Sequence, residues 1–310
     1  MSFDIGLTLL VLGVAAWTIG ARDTFAAVVG FVAYGLLLAL VWVRLAAPDV
    51  ALTEAALGSG LTGGLLIGAS SRLRRSQSPA AEEAPGVVLK AAAAVLSILV
   101  SAGLAAIVLL LPDPAPTLAP QAAASIAATG LGNPVTAVLM AYRAIDTLLE
   151  IVVLLLALVG IWSLAPDRDW GRRLDRRGST DPVSVLTFVA QLLVPVGIIV
   201  GIHIFWVGSV APGGEFQGAT ILATMWTLAS MAGLVSAAAV TRRWLRLVLT
   251  IGPAVFLAIG LAGFALAGAF LAYPKSHAKL MILVIEIPVT LSIAATLALL
   301  VAGPPERARQ

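Results

Sequence analysis

Apolar stretches of roughly twenty residues recur along nearly the whole chain, each closed by a short polar, basic or proline-bearing break. A helix of about 20 apolar residues spans a bilayer. The pattern therefore predicts an all-α, polytopic membrane helix bundle. Only 11% of the 310 residues are charged, against about 25% in soluble domains, which excludes an ordinary soluble enzyme and a disordered chain. The chain has no cysteine, so disulfides, thiolate chemistry, iron–sulfur clusters and zinc fingers are excluded. Its two histidines, His203 and His277, stand far apart in sequence. No metal or haem site is expected from them, and no cofactor.

The breaks place the helices. Arg22-Asp23 ends the first, expected over Asp4–Gly20 and read as a span rather than a cleaved signal peptide. The second is expected over Thr24–Arg44 and the third over Pro48–Ser70, with proline suited to its first turn. The fourth runs from Val87 to Leu111, and the prolines from Pro112 to Pro120 make an extended loop. Residues 121–132 read as loop or a short surface helix. The fifth helix is expected over Pro134–Leu164, the sixth over Pro182–Val207 and the seventh over Glu215–Val240. The eighth is expected over Leu247–Tyr273 and the ninth over Leu280–Val301. That makes about nine transmembrane helices.

Lysine and arginine in short loops set orientation, being enriched on the cytoplasmic side. With the N-terminus outside, the inner face collects Arg22, Arg72, Arg74, Arg75, Lys90, Arg168, Arg172, Arg173, Arg176, Arg177, Arg242, Arg243, Arg246, Arg307 and Arg309. The outer face has Arg44, Lys275 and Lys279, and Arg143 lies near an outer helix end. Fifteen against three predicts an outside N-terminus and a cytoplasmic C-terminus in a cell inner (plasma) membrane. It also accounts for the basic residues as topology signals, leaving no reason to expect nucleic acid. The longest basic segment divides the chain into a five-helix domain, 1–165, a cytoplasmic loop, 166–181, and a four-helix domain, 182–310.

Ionisable residues inside a bilayer cost about 2.5–3.5 kcal/mol on insertion scales, and those that persist are functional candidates. Asp49 opens the third helix, where a carboxylate suits the helix dipole and serves either as a cap or in function. Thr53 and Glu54 follow one turn deeper, and Glu54 has no basic residue four positions away. Gly58, Gly60, Gly63 and Gly64 come next. They serve either close helix approach or a helix able to change register and carry a π-bulge. Arg143, Asp146, Thr147 and Glu150 have spacings that share one helical face. Arg143 can pair with Asp146, and Glu150 then stands as a proton-exchanging carboxyl. His203 lies a turn before the break at Pro212, Gly213 and Gly214 and is either a packing residue or a functional one. Glu215 suits a helix N-terminus. Glu286 sits in mid-span just before Pro288, as a relay carboxyl or an interhelical hydrogen-bond partner. Nucleotide-binding glycine loops and the His-Glu-x-x-His motif are absent, so no enzyme site is expected.

Three segments carry a family resemblance. Pro48-Asp-Val-Ala-Leu-Thr-Glu54 with its glycine-rich sequel resembles the C-terminal extension of the large A subunit of Mrp-type Na⁺/H⁺ antiporters. Tyr142-Arg-Ala-Ile-Asp-Thr-Leu-Leu-Glu150 resembles the next segment of that extension, with Ala144 and Leu149 in place of glycines. Gly208-Ser-Val-Ala-Pro-Gly-Gly-Glu-Phe-Gln-Gly218 resembles the motif of the B subunit, the MnhB family, with Ser209-Val210 for His-Asn and Glu215 for a glycine. The first region is also similar to the J-type subunit of respiratory complex I, whose third helix changes register. The resemblance implies a membrane subunit of a cation (Na⁺)/proton antiporter, a secondary transporter, with A-, C-, D-, E-, F- and G-like partner subunits. On that reading Glu54, Asp146 and Glu150 line one hydrated path for Na⁺ or H⁺ and Glu286 another. The alternatives are a scaffold subunit, or the equivalent subunit of a membrane-bound hydrogenase or other ion-pumping redox complex.

Overall fold

The computed structural model describes residues 2–76, 86–112, 114–165, 185–235 and 243–303. The basic segment expected as the domain boundary, with Arg168 to Arg177, lies outside these residues, as do Arg242, Arg307 and Arg309.

The described residues are helical throughout, without strands. Helix α1 (Ser2–Gly20) turns at Asp23, whose side chain caps α2 (Thr24–Arg44) by accepting from the Phe25 amide at 3.0 Å. At the far end of this hairpin Arg44 Nε donates to Asp4 Oδ1 at 2.9 Å. The third span is one rod with three parts. It begins as α3 (Pro48–Thr53), runs through a π-helical segment over Glu54–Leu61, and continues as α4 (Thr62–Ser76). The register change lies where the glycines are, and α2 packs along all three parts. Helix α5 (Val87–Leu110) buries no residue within the chain.

The expected fifth helix is broken. Residues 121–132, left between loop and surface helix by the sequence, belong largely to α6 (Ala119–Thr129), which Gly130 ends in a left-handed conformation. Asn133 then caps α7 (Pro134–Ala137), accepting from the Val135 amide at 2.9 Å. A π turn over Val138–Tyr142 follows, and Arg143 leaves helical geometry at φ −130°, ψ 38°. Only then does α8 (Ala144–Leu164) begin. The break is stabilised locally: Arg143 N–H reaches back to Val138 O at 2.8 Å, and the Thr147 hydroxyl donates to Leu139 O at 2.8 Å. Thr147 thus turns to a carbonyl that the lost helical register leaves free, and away from the charged face. Together α6 and the α7 segment are bent by 88°, the geometry of a broken span or a re-entrant loop.

The last four helices are α9 (Val185–Val207), α10 (Glu215–Met231), α11 (Arg243–Ala267) and α12 (Ala278–Ala302). The expected seventh helix stops at Met231, nine residues early, where the chain turns through Gly233 at φ +71°. Among the described residues eight helices are long and apolar enough to cross a membrane, or nine with the bent pair. Helix α12 is the axis: 61% of its apolar window is buried, against at most 28% in the other spans. It packs on α8, α10 and α11, while α10 also touches α3 and the π segment. Ile282, Ile285, Val289 and Ile293 form the centre of the core with Met140, Ile151 and Phe256. Inside lipid such packing is favoured by dispersion and close fit rather than by escape from water.

Proline in α11 is accommodated by its neighbour. Pro253 has no N–H for the carbonyl four residues earlier, and that carbonyl, Leu249 O, accepts from Ser292 Oγ of α12 at 2.7 Å.

Candidate functional site: a polar knot and a buried carboxyl pair

Two polar clusters sit where α10 meets the first half of the chain. The first is built around Asp49. Pro48 starts α3 and places Asp49 in its first turn, 7% exposed. Its Oδ1 accepts from Asn133 Nδ2 at 3.1 Å and from the Gly213 amide at 3.0 Å. Asn133 also donates to Ala211 O at 3.0 Å. The Thr136 hydroxyl donates to Gly208 O at 2.6 Å, and the Gly132 amide to Ser209 O at 2.8 Å. One turn along, Gln217 Nε2 donates to Thr53 Oγ1 at 2.9 Å. The loop of Pro212, Gly213 and Gly214 reaches this place because Gly213 and Gly214 both take φ +144°, a region L side chains rarely adopt. Asp49 is thus more than a cap: its carboxylate joins three separate segments.

The second cluster is a carboxyl pair. Glu215 opens α10 and is 5% exposed; Glu286 lies in the middle of α12 and is 4% exposed. Their side chains are hydrogen-bonded to each other, and the Glu215 carboxyl also accepts from its own backbone amide. Glu215 therefore does what its helix-terminal place suggests and also forms half of the pair. A hydrogen bond between two carboxyl groups needs a proton on one of them, so the pair holds a proton or exchanges it for another cation. Glu150, on α8, lies near enough for its charge to act on Glu215. Its own side chain reaches the outer face of the chain.

The remaining expected site residues are scattered. Glu54 folds back over Gly58 and against Gly35 of α2, and a Cβ on Gly58 would run into its carboxylate. Gly63 is likewise closed, by Val32, whereas Gly64 faces open space and Gly60 meets Ala55 O at 3.1 Å. The glycine run therefore divides between close approach and the π-helical segment itself. Asp146 pairs with Arg143, Nε to Oδ2 2.6 Å, but the two side chains are 46% and 71% exposed and face outward. His203 is also outward.

Sequence reasoning missed Asn133, Gln217 and Tyr273. Asn before Pro134 is a helix-start signal that could have marked Asn133. Tyr273 carried no signal. Its ring lies at the α11–α12 connection and its hydroxyl is one of three buried side-chain polar atoms without a partner among the described residues, with Ser59 Oγ and Trp162 Nε1. Burial, and after it the charge of Glu286, pushes the Tyr273 hydroxyl up to about 12.

Among the described residues, helices enough to cross a membrane eight or nine times, with carboxyl groups inside the bundle, define a polytopic membrane protein. Residues 185–303 match the model of a domain related to the MnhB subunit of Na⁺/H⁺ antiporter, and residues 9–75 match that of MbhD, a subunit of MBH. The two matches thus follow one another along the chain, an MbhD match at its start and an MnhB-related match over its last four helices. Its fold is similar to a chain in the structure of the Mrp complex from Dietzia sp. DQ12-45-1b, with 24% identity and a TM-score of 0.74. That likeness covers 98% of this chain and 35% of the other, so this chain spans about a third of that one. It is also similar to a chain of the membrane-bound sulfane sulfur reductase (MBS), an archaeal respiratory membrane complex, with 26% identity, a TM-score of 0.54, and 69% and 98% of the two chains covered. No curated protein matches at a significant level.

Proposed function

We propose that this chain is a membrane subunit of a multisubunit cation/proton antiporter, and that it contributes carboxyl groups to an ion or proton path as well as contacts for assembly. It is a secondary-transporter subunit and not an enzyme. It lies in the cell inner membrane with its N-terminus outside, beside A-, C-, D-, E-, F- and G-like subunits, and it moves Na⁺ or H⁺. The observation that carries the conducting role is the Glu215–Glu286 hydrogen bond in the packed centre of the bundle. Two carboxyl groups buried there would be an expensive way to pack helices. Glu150 extends the pair toward the outer face of α8, where another subunit fits. Glu54 serves a second place, at the start of the π segment of the third span, where a register change would move it. Asp146 and Arg143 belong to the outward face. The division into 1–165 and 182–310 follows the order of the two matched domains, while the Asp49 knot joins the halves mechanically.

The test is antiport in vesicles carrying the assembled complex. Glu286→Gln is expected to assemble on a native gel and to lose exchange at least tenfold. Wild-type exchange in both Glu286→Gln and Glu150→Gln would leave a scaffold. The likeness to the MBS chain favours a second reading, the equivalent subunit of an ion-pumping redox complex. Copurification separates it from the first, since redox subunits would then come down with this chain.

A further inference from the structure

The buried carboxyl pair is closed off by protein on the sides that the described helices cover, and it needs a way out. The α11–α12 connection supplies one. It does not swing clear of the bundle: Leu271 takes φ +57° and its amide donates to Gly260 O at 3.1 Å, folding the turn back over the end of α11. Gly263 admits this turn, because a Cβ there would lie 2.7 Å from Ala269 O. The fold-back delivers Tyr273 into the bundle with its ring packed on the central core. The ring is part exposed at the turn, yet the hydroxyl tip is buried and has no partner. Nearly all buried polar groups in proteins are satisfied, by protein or by an internal water. A buried hydroxyl left over beside a carboxyl pair is placed to be satisfied by whatever passes there.

The geometry points to Tyr273 as the proton-relay residue between the Glu215–Glu286 pair and the aqueous side at the α11–α12 turn, an inference that rests on the conducting role of the pair. The hydroxyl makes no direct hydrogen bond to either carboxyl, so its proton passes through an internal water to the ionised member of the pair, while the phenol oxygen takes a proton from a hydronium on the turn side. One O–H bond breaks and one forms at the phenol, the tyrosine ends neutral, and one positive charge has moved inward. The titratable groups close enough to act on one another here are Glu150 from α8, Glu215 from α10, Glu286 from α12 and Tyr273 from the turn. Helix α11 brings no charge here, since Arg243 and Arg246 lie in its first turn, at its opposite end. The turn shares an end of the bundle with the Asp49 knot, for Lys279 packs over Gly130. By the distribution of basic residues this is the outer end. The relay therefore serves exchange with the outer aqueous phase.

Tyr273→Phe tests it, because phenylalanine keeps the ring and removes only the hydroxyl. In vesicles with the assembled complex, antiport should fall at least fivefold. Its dependence on the pH of the outer compartment should flatten, while dependence on the inner pH is kept, and assembly on a native gel should match wild type. Unchanged exchange in Tyr273→Phe with exchange lost in Glu286→Gln would overturn the relay and leave the role of the pair standing. Unchanged exchange in both would overturn the two together. A Tyr273→Phe chain that fails to assemble would mark the hydroxyl as structural and also overturn the relay.

Discussion

Asp49 Oδ1 accepts a hydrogen bond from the backbone amide of Gly213 at 3.0 Å, across 164 residues of chain. The bond ties the first turn of the third span to the loop that opens α10. It works as a fixed joint because Gly213 can hold the amide in a conformation closed to other residues. Removing the carboxylate with Asp49→Ala leaves that buried amide without its partner, at a cost of about 1–3 kcal/mol. The purified complex should lose several degrees in thermal unfolding. Asp49→Asn keeps an acceptor oxygen and should lose less.

Gly58 and Gly64 look alike in the sequence and differ in space. A Cβ at Gly58 collides with the Glu54 carboxylate, the movable end of a side chain, so Gly58→Ala should displace Glu54 and leave the backbone in place. Transport should fall while assembly persists. At Gly64 nothing lies within 4 Å, and Gly64→Ala should keep transport within about twofold while stabilising the helix by up to about 1 kcal/mol. Equal effects of the two substitutions on exchange would contradict this account.

Ser292 compensates for Pro253. Ser292→Ala leaves Leu249 O with neither a helical donor nor a side-chain one, and the loss should be about 1–3 kcal/mol in unfolding of the complex. Replacing Pro253 by alanine in the same chain returns an amide to that carbonyl and should recover most of it. A double-mutant cycle measures the coupling.

The Arg143–Asp146 pair faces outward at a helix break. An unpaired charge is costly in a membrane, so Asp146→Leu alone, which strands Arg143, should lower the yield of assembled complex severalfold. Joining it with Arg143→Met should restore part of that yield. Band intensity on a native gel decides, and a double variant that assembles worse than Asp146→Leu would rule out pairing as the reason the two are kept.

The helices were largely legible before any coordinates, because spans of apolar residues bounded by arginine, proline and glycine leave few other readings in a bilayer. Glu286 was legible for the same reason, as a charge where composition argues against one. Helix 5 was not. Its hydropathy runs on from Pro134 to Leu164, and the break at Arg143 comes from a π turn and the Thr147–Leu139 hydrogen bond, neither of which changes the apolar pattern. The shared face of Arg143, Asp146, Thr147 and Glu150 dissolved with it: the first two point outward, Thr147 is buried against the backbone, and Glu150, though exposed, alone lies near enough for its charge to act on the pair. Helix α10 was overrun for a like reason, since the small apolar residues after Met231 suit a helix as well as a turn.

By itself the sequence determined that this chain is a membrane bundle, roughly where its helices lie, and which few residues carry charge into it, because the energy of placing polar groups in hydrocarbon is decided residue by residue. Only the tertiary structure decided which of those charges meet. Glu215 was legible as a helix cap and Glu286 as a lone carboxyl, and nothing in their separation by 71 positions says that they share a hydrogen bond. That meeting depends on how α10 packs against α12, and on a loop that glycine allows to close. Tyr273 depends on it too, for an unremarkable tyrosine at a helix end becomes the neighbour of a buried pair only when the turn beneath it folds inward.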